Sequence, residues 1–422
     1  MASRSHGSGS GELRRHWRIL PPCLAGITLC SVHGYSLGVM IPVIEREYGW
    51  PRAEISLGLM FISVIALFAA PLVGLAIDRF GPRRIALTGI LLFCFALAML
   101  SNATADIRSW WLLWLLLGAG NMLILPTVWT KAINVYFDAS RGIALALALC
   151  GTGVTAAFVP SLTNALVEHF GWRGAYIGLG LIGAGITFPI AWFLFRPEAA
   201  GRAAPAASRL PPQGISVREG FARPSFLKLA GATLLFSITI CALTTNLVPV
   251  LLARGMTPAT AAWVAGLLGI GSITGRLVGG ILLDRFDAAR VGAVSVLMPV
   301  VTVSLLLAFP GAGVAAAACL ILGLSVGTEV DCCAYLAARH FGLKSFGTLF
   351  GTMNGLMLFG NGIAPVLANH VYDVTGSYDI VLWAQVPACL GTALLFLLLG
   401  PYPQPDAVEA SRDTAPAGGE PA

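Results

Sequence analysis

Twelve stretches of about 20 mostly apolar residues, joined by short polar loops, constrain this chain more than any other feature. They are 19–41, 55–77, 85–104, 110–136, 142–166, 173–195, 228–252, 259–283, 291–309, 313–338, 346–371 and 379–400. About 20 apolar residues is the length a helix needs to cross a bilayer. Hydrocarbon offers no partner to backbone polar groups, so such segments must be helical. Charged residues form only 11% of the chain and mean hydropathy is +0.81. That is too little charge to cover a water-facing surface. The expected fold is an all-α membrane protein with twelve transmembrane helices. A soluble enzyme, a disordered chain and a fibrous chain are excluded.

The segments group into two six-helix bundles, 19–195 and 228–400. A polar linker rich in Ala, Pro and Arg, 196–227, separates them. Residues 1–18 form a polar tail, and 401–422 a Pro- and acid-rich tail expected to be disordered. The net charge of +6 lies in the loops and does not point to nucleic acid. With both ends placed in the cytoplasm, 19 Lys and Arg fall on that side and 5 on the other. Lys131 and Arg276 lie inside spans. This bias predicts an integral membrane protein, of a bacterial inner membrane, with both ends cytoplasmic. The nine cysteines sit in apolar surroundings with no CxxC pair, so packing explains them.

The halves repeat. Gly74-Leu-Ala-Ile-Asp78-Arg79-Phe80 matches Gly280-Ile-Leu-Leu-Asp284-Arg285-Phe286, and Pro160 and Asn164 match Pro365 and Asn369. Parallel six-helix repeats about a central linker are one transporter architecture. Gly74-x-x-x-Asp78-Arg79-x-Gly81-x-Arg83-Arg84 resembles the loop signature of the major facilitator superfamily, with a degenerate copy at 280–290. Within it the chain resembles the monocarboxylate-transporter and oxalate/formate-antiporter branch. The residues behind this are Gly49-Trp50-x-Arg52-x-x-Ile55-Ser56, Arg141-Gly142-x-Ala144, Gly171-Trp172-Arg173-x-Ala175-Tyr176, Asn246-x-x-Pro249 and an Arg in the eighth span. The resemblance implies the major facilitator fold. It also implies a cytoplasmic gate of Gly74, Asp78, Arg79, Arg83, Arg84, Asp284 and Arg285, whose contacts form in one conformation and break in the other.

A charge at mid-bilayer costs roughly 2.5–3.5 kcal/mol on the insertion scale. Four ionisable residues nevertheless lie well inside spans: Lys131, Arg276, Glu329 and Asp331. Arg276 precedes Asp284 by eight residues, roughly 12 Å of helix, so snorkelling to the loop is hard. Its guanidinium can grip a carboxylate with two parallel hydrogen bonds. The resemblance likewise implies a substrate-binding arginine in the eighth span. Glu329 and Asp331 are two residues apart, about 200° around the helix, and are not expected to face the same place. Either can pair with Arg276, with Asp331 favoured. An anion that takes Arg276 would free the carboxylate to bind a proton. Lys131 has a stem long enough to snorkel, or it adds a second anion contact. His33, Tyr35, Asn121, Asn246, Tyr335 and Asn361 are further candidates for the substrate cavity, although interhelical hydrogen bonding explains each equally well.

No Walker loop and no zinc-protease motif occurs. Gly34-Tyr-Ser36-Leu-Gly38 and Gly323-Leu-Ser325-Val-Gly327 carry an esterase spacing, but inside apolar helices rather than on a strand-to-helix elbow. No cofactor, metal or catalytic group is expected. The expected function is secondary active transport of an organic (mono)carboxylate with protons, by alternating access. An exporter of amphipathic compounds and a non-transporting membrane sensor are the alternatives. The expected partners are a small organic anion, protons and the lipid bilayer, with no nucleic acid, and the chain is expected to act as a monomer.

Overall fold

Hydropathy makes these segments helical, and breakers at their ends set their length. The computed structural model describes residues 9–137, 140–196, 215–342, 345–400 and 402, except the side chains at 9, 10, 70, 71 and 78. The 401–422 tail, apart from Tyr402, and residues 197–214 of the linker lie outside the described residues. The spans are α1 (Leu20–Tyr48), α2 (Arg52–Phe80), α3 (Pro82–Met99) and α4 (Ile107–Met122, resumed at Pro126–Tyr136). The helix Arg141–Leu194 has 54 residues, roughly 81 Å, far more than a bilayer needs. It bends at Gly171, whose φ of 68° favours glycine, and so forms α5 (141–170) and α6 (172–194). Then come α7 (Pro224–Thr245, resumed at Leu247–Ala253), α8 (Pro258–Arg285), α9 (Ala288–Ala308), α10 (Ala312–Phe341), α11 (Phe346–Thr375) and α12 (Asp379–Leu397).

Two expected spans are interrupted. In α4 the break falls just before Pro126, which has no N–H to donate back along the helix. In α7 it falls at Asn246, three residues before Pro249. Conversely, α1 runs on past residue 41 to Tyr48: Pro42 lies inside the helix without ending it, and the helix stops at Gly49, a left-handed cap at φ 70°. The end of the expected linker is helical at Val217–Ala222. Part of the expected N-terminal tail is also helical, at Gly9–His16. From it Glu12 accepts from the Ser140 N–H and hydroxyl (2.8 and 2.6 Å), capping the start of α5.

One apolar core fills the half α1–α6, around Trp110, Trp114, Trp129 and Phe93. A second fills the half α7–α12, around Phe236, Leu336 and Phe396. The halves meet where α2 lies against α11 and α5 against α8. On the α5–α8 seam Gly153 and Ala157 approach Gly266 and Gly269 so closely that side chains there would collide with backbone. Phe68, Leu112, Phe158, Leu181, Trp263 and Trp383 are each more than half exposed. Apolar exposure on that scale belongs in lipid rather than water.

Candidate functional site

Arg276 is placed by glycine. On α8, Gly271 and Gly275 recur every four residues, as do Gly323 and Gly327 on α10. A Cβ at Gly271 would meet the Leu320 carbonyl, and one at Gly327 would meet the Ser272 carbonyl and the Arg276 backbone N. With no side chains between them the two backbones touch, the small-residue packing that membrane helices use in place of a hydrophobic drive. The Thr328 hydroxyl, which donates within α10 to Leu324, also lies 3.2 Å from the Gly275 carbonyl across the seam. Arg276, 7% exposed, therefore lies deep in the C-terminal half beside α10.

There the Arg276 Nη1 lies 4.0 Å from the Asp331 Oδ1, an ion pair too long for a hydrogen bond. That Nη1 is buried and has no hydrogen-bond partner among the described residues. Glu329 is also buried, at 8% exposure, and its Oε1 has no partner either. Both carboxylates lie within the electrostatic reach of Arg276. Among the described residues the ion pair is with Asp331, and Glu329 forms none. Residues of the other half complete the surroundings. Tyr35 of α1 lies within the electrostatic reach of Arg276 and Glu329, and Cys150 of α5 within that of Arg276 and Asp331. Cys241 of α7 lies within the electrostatic reach of Glu329. The arrangement is a buried cation and two carboxyl groups at the junction of the halves.

The other sequence candidates spread more widely. His33 packs edge-on to Phe93 and Trp114, with ring centroids 6.0 and 6.2 Å apart, inside the N-terminal core. Asn121 is buried in the same core and accepts from the Cys30 thiol at 3.5 Å. Asn246 sits at the break in α7. Its Nδ2 donates to the Ala242 carbonyl at 2.9 Å, while its Oδ1 is buried without a partner among the described residues. The Asn361 backbone carbonyl accepts from the Cys241 thiol at 3.1 Å. Tyr335 lies under the Arg339 guanidinium, and Lys131 is half-buried on the second part of α4. Arg276 and Asp331 are thus brought together, with Glu329 and Tyr35 within electrostatic reach of Arg276, whereas His33 and Asn121 belong to a different packing layer.

The hydrogen bonds described between the halves cluster at one end of the bundle, opposite the basic loops. Both oxygens of Asp373, on α11, accept backbone N–H groups at the start of α2, from Arg52 at 2.9 Å and Ala53 at 2.8 Å. The Arg52 guanidinium pairs with Glu45 at 2.7 Å, donates to the Tyr378 hydroxyl at 3.1 Å and lies 3.8 Å over the Tyr372 ring. Tyr378 donates to Asn369, and Asn369 to Ser56, each at 2.7 Å. At the basic end, Arg83 stays within its own half, donating to the Trp192 carbonyl at 2.8 Å. Arg79, Arg84, Asp284 and Arg285 are exposed, Gly74 is half-buried, and the Asp78 side chain lies outside the described residues. The molecule is bolted at the end opposite the basic loops.

The sequence model of the Major Facilitator Superfamily matches residues 23–358 and 255–419. The chain belongs to the major facilitator superfamily. The transporter is 29% identical to Monocarboxylate transporter 11 of Mus musculus over 82% of its own length and 78% of that protein's. It is 26% identical to the Probable sulfoacetate transporter SauU of Cupriavidus necator, over 87% and 89%. A crystal structure of a bacterial homologue of the human lysosomal transporter Spinster superposes with a TM-score of 0.67. It covers 91% of this chain and 94% of that one at 15% identity, a likeness of fold. Twelve helices in two six-helix bundles are therefore this transporter's architecture. By length and composition ten described helices can cross a membrane. Dividing Arg141–Leu194 at Gly171 and adding the Gly- and Asn-rich α11 brings the spans to twelve.

Two parts of this transporter escaped the sequence reading. The bolted end was missed because Glu45, Ser56, Asn369, Asp373 and Tyr378 stand at span ends, where polar residues are ordinary. Only folding brings Arg52 to partners more than 300 positions away. The glycine seam left a visible signal, the four-residue spacing at 271–275 and 323–327. Gly323 and Gly327, which form an esterase spacing by chance, are its α10 side.

Proposed function

We propose that this transporter moves an organic carboxylate across a bacterial inner membrane, coupled to protons, with Arg276 as the anion site. The basic end with both chain ends faces the cytoplasm, so the bolted end is the outer gate. One observation carries the reading. Arg276 is a buried, permanently charged side chain whose nearest described carboxylate stands 4.0 Å away and whose Nη1 has no hydrogen-bond partner among the described residues. An unmade hydrogen bond on a buried charged group is costly. A substrate carboxylate would complete it with a bidentate pair.

Substrate binding then has a charge consequence. An anion on Arg276 displaces Asp331, and two carboxyl groups remain beside it in low dielectric. Taking up a proton on Asp331 or Glu329 offsets the negative charge that the anion brings before the site crosses the membrane. Tyr35 and Cys150 belong to the opposite half and lie within electrostatic reach of the site, which links occupancy to the movement of one half against the other. The cytoplasmic signature residues Gly74, Asp78, Arg79, Arg83, Arg84, Asp284 and Arg285 lock the other end when the outer gate opens. The names of two similar proteins, a monocarboxylate transporter and a probable sulfoacetate transporter, support an organic anion as cargo.

The test has two stages. A thermal-shift screen of purified protein against carboxylic acids identifies a ligand, since one at about 100 times its Kd adds about 2.7 kcal/mol of stability. Proteoliposomes loaded with a pH dye then report whether that ligand moves protons. Substrate-dependent acidification or alkalinisation supports the reading. Stabilisation only by cationic or neutral amphipaths favours an exporter, and ligand binding without any flux favours a sensor.

A further inference from the structure

On the membrane-facing side of the C-terminal half, α8, α9 and α10 leave a groove of about 340 Å³. Gly275, Gly279 and Thr328 are among its lining residues, so the groove lies directly behind the seam that carries Arg276 and Glu329. Val278 and Val294, also in the lining, are 45% and 60% exposed, so the groove opens toward lipid rather than toward the central site. Its basic-end mouth is formed by the first turn of α9, where Arg290 stands exposed. Deeper in, Ser295 is 4% exposed, and its hydroxyl has no hydrogen-bond partner among the described residues.

We propose that this groove is a binding site for one membrane glycerophospholipid. The headgroup phosphate sits on Arg290, an ester carbonyl accepts from the Ser295 hydroxyl, and one acyl chain lies along Val278, Val294 and Met298. The order of groups matches a lipid entering a leaflet. Ser295 follows Arg290 by five residues, about 7.5 Å along α9, so charge, hydroxyl and apolar wall succeed one another from the interface inward. The mouth suits a phosphate because the start of α9 carries the positive end of its dipole beside Arg290. Asp287, the one acidic side chain in the lining, is engaged in capping that helix, accepting from the Arg290 N–H at 3.1 Å. A lipid ester is also what the buried Ser295 hydroxyl lacks, an acceptor inside an apolar wall. An acyl chain here fills the space behind Gly275 and Thr328. It would thereby brace the α8–α10 seam that holds Arg276 near Asp331.

Native mass spectrometry of the detergent-purified full chain, titrated with phosphatidylglycerol, tests this. Wild type should keep one lipid through detergent exchange. Arg290→Gln should lower retention about fivefold, the effect of one basic residue on an acidic lipid. Ser295→Ala should lower it several-fold. Val294→Trp, which fills the groove from its exposed lip, should abolish it. Arg218→Gln, an exposed arginine on another helix, should change nothing. Melting temperatures in lipid-free detergent confirm that each variant is folded. Equal retention by wild type, Val294→Trp and Ser295→Ala would mean annular lipid only and would overturn the site. Displacement of the lipid by glycerol 3-phosphate alone would also overturn it, since that would be a phosphate site without a groove.

Discussion

Removing the Asp373 carboxylate should unbolt one end of the molecule. In Asp373→Ala, the N–H groups of Arg52 and Ala53 lose their acceptors at 2.9 and 2.8 Å. The arrangement is an acidic helix cap supplied from the other half of the protein, and it exists only while that end is closed. Replacing a capping side chain by Ala costs about 1 kcal/mol, with a range of about 0.5–2. Charge-assisted bonds lie toward the top of that range, but Asp373 is exposed and water recovers part of the loss. About 1–2 kcal/mol is left, so the open-to-closed ratio at this end should rise about 5- to 30-fold. Spin labels at the exposed Asn102 and Thr375, one on each half at this end, read that ratio as a distance distribution. Asp373→Asn, which keeps one acceptor, should fall between. An unchanged distribution in Asp373→Ala, with an unchanged melting temperature, would show that the contact does not hold this end shut.

The glycine seam makes a second prediction. Gly327→Ala places a methyl against the Ser272 carbonyl and the Arg276 backbone N, so it should lower stability by about 1–3 kcal/mol in a thermal melt and impair transport. Gly347→Ala on α11, where no atom lies within 4 Å of the added methyl, is the control expected to behave as wild type. If Asp331 carries the proton, Asp331→Asn should abolish proton-driven accumulation but keep substrate exchange, while Glu329→Gln accumulates normally; the opposite pattern moves the role to Glu329. Deleting residues 405–422 should leave uptake intact, because that segment is polar and Pro-rich with no apolar face.

The twelve spans were legible because each needs only local information, an apolar run of the right length. Arg276, Glu329 and Asp331 were legible for a related reason: a charge inside such a run contradicts its surroundings. Their mutual geometry was not. The helical angle between Glu329 and Asp331 suggested separate environments, but which of them pairs with Arg276, and at 4.0 Å, came only from the fold. His33 looked comparable to Tyr35 in sequence, yet the two-residue step between them packs His33 into the N-terminal core and leaves Tyr35 within the electrostatic reach of Arg276. The bolted end could not be read at all. Its members are ordinary loop-edge polar residues whose meaning arises from the approach of α2 to α11.

Uptake of a labelled carboxylate, identified by the thermal-shift screen, into proteoliposomes containing wild type or Arg276→Lys tests the central claim most directly. The lysine keeps the charge but loses the planar fork. Losing one charge-assisted hydrogen bond costs about 1.5–3 kcal/mol, so the Lys variant should transport about 10- to 100-fold less efficiently at sub-saturating substrate while keeping its melting temperature within a few degrees. Equal affinity and rate in the two proteins would contradict the account, because the buried guanidinium would then be a packing element rather than the anion site.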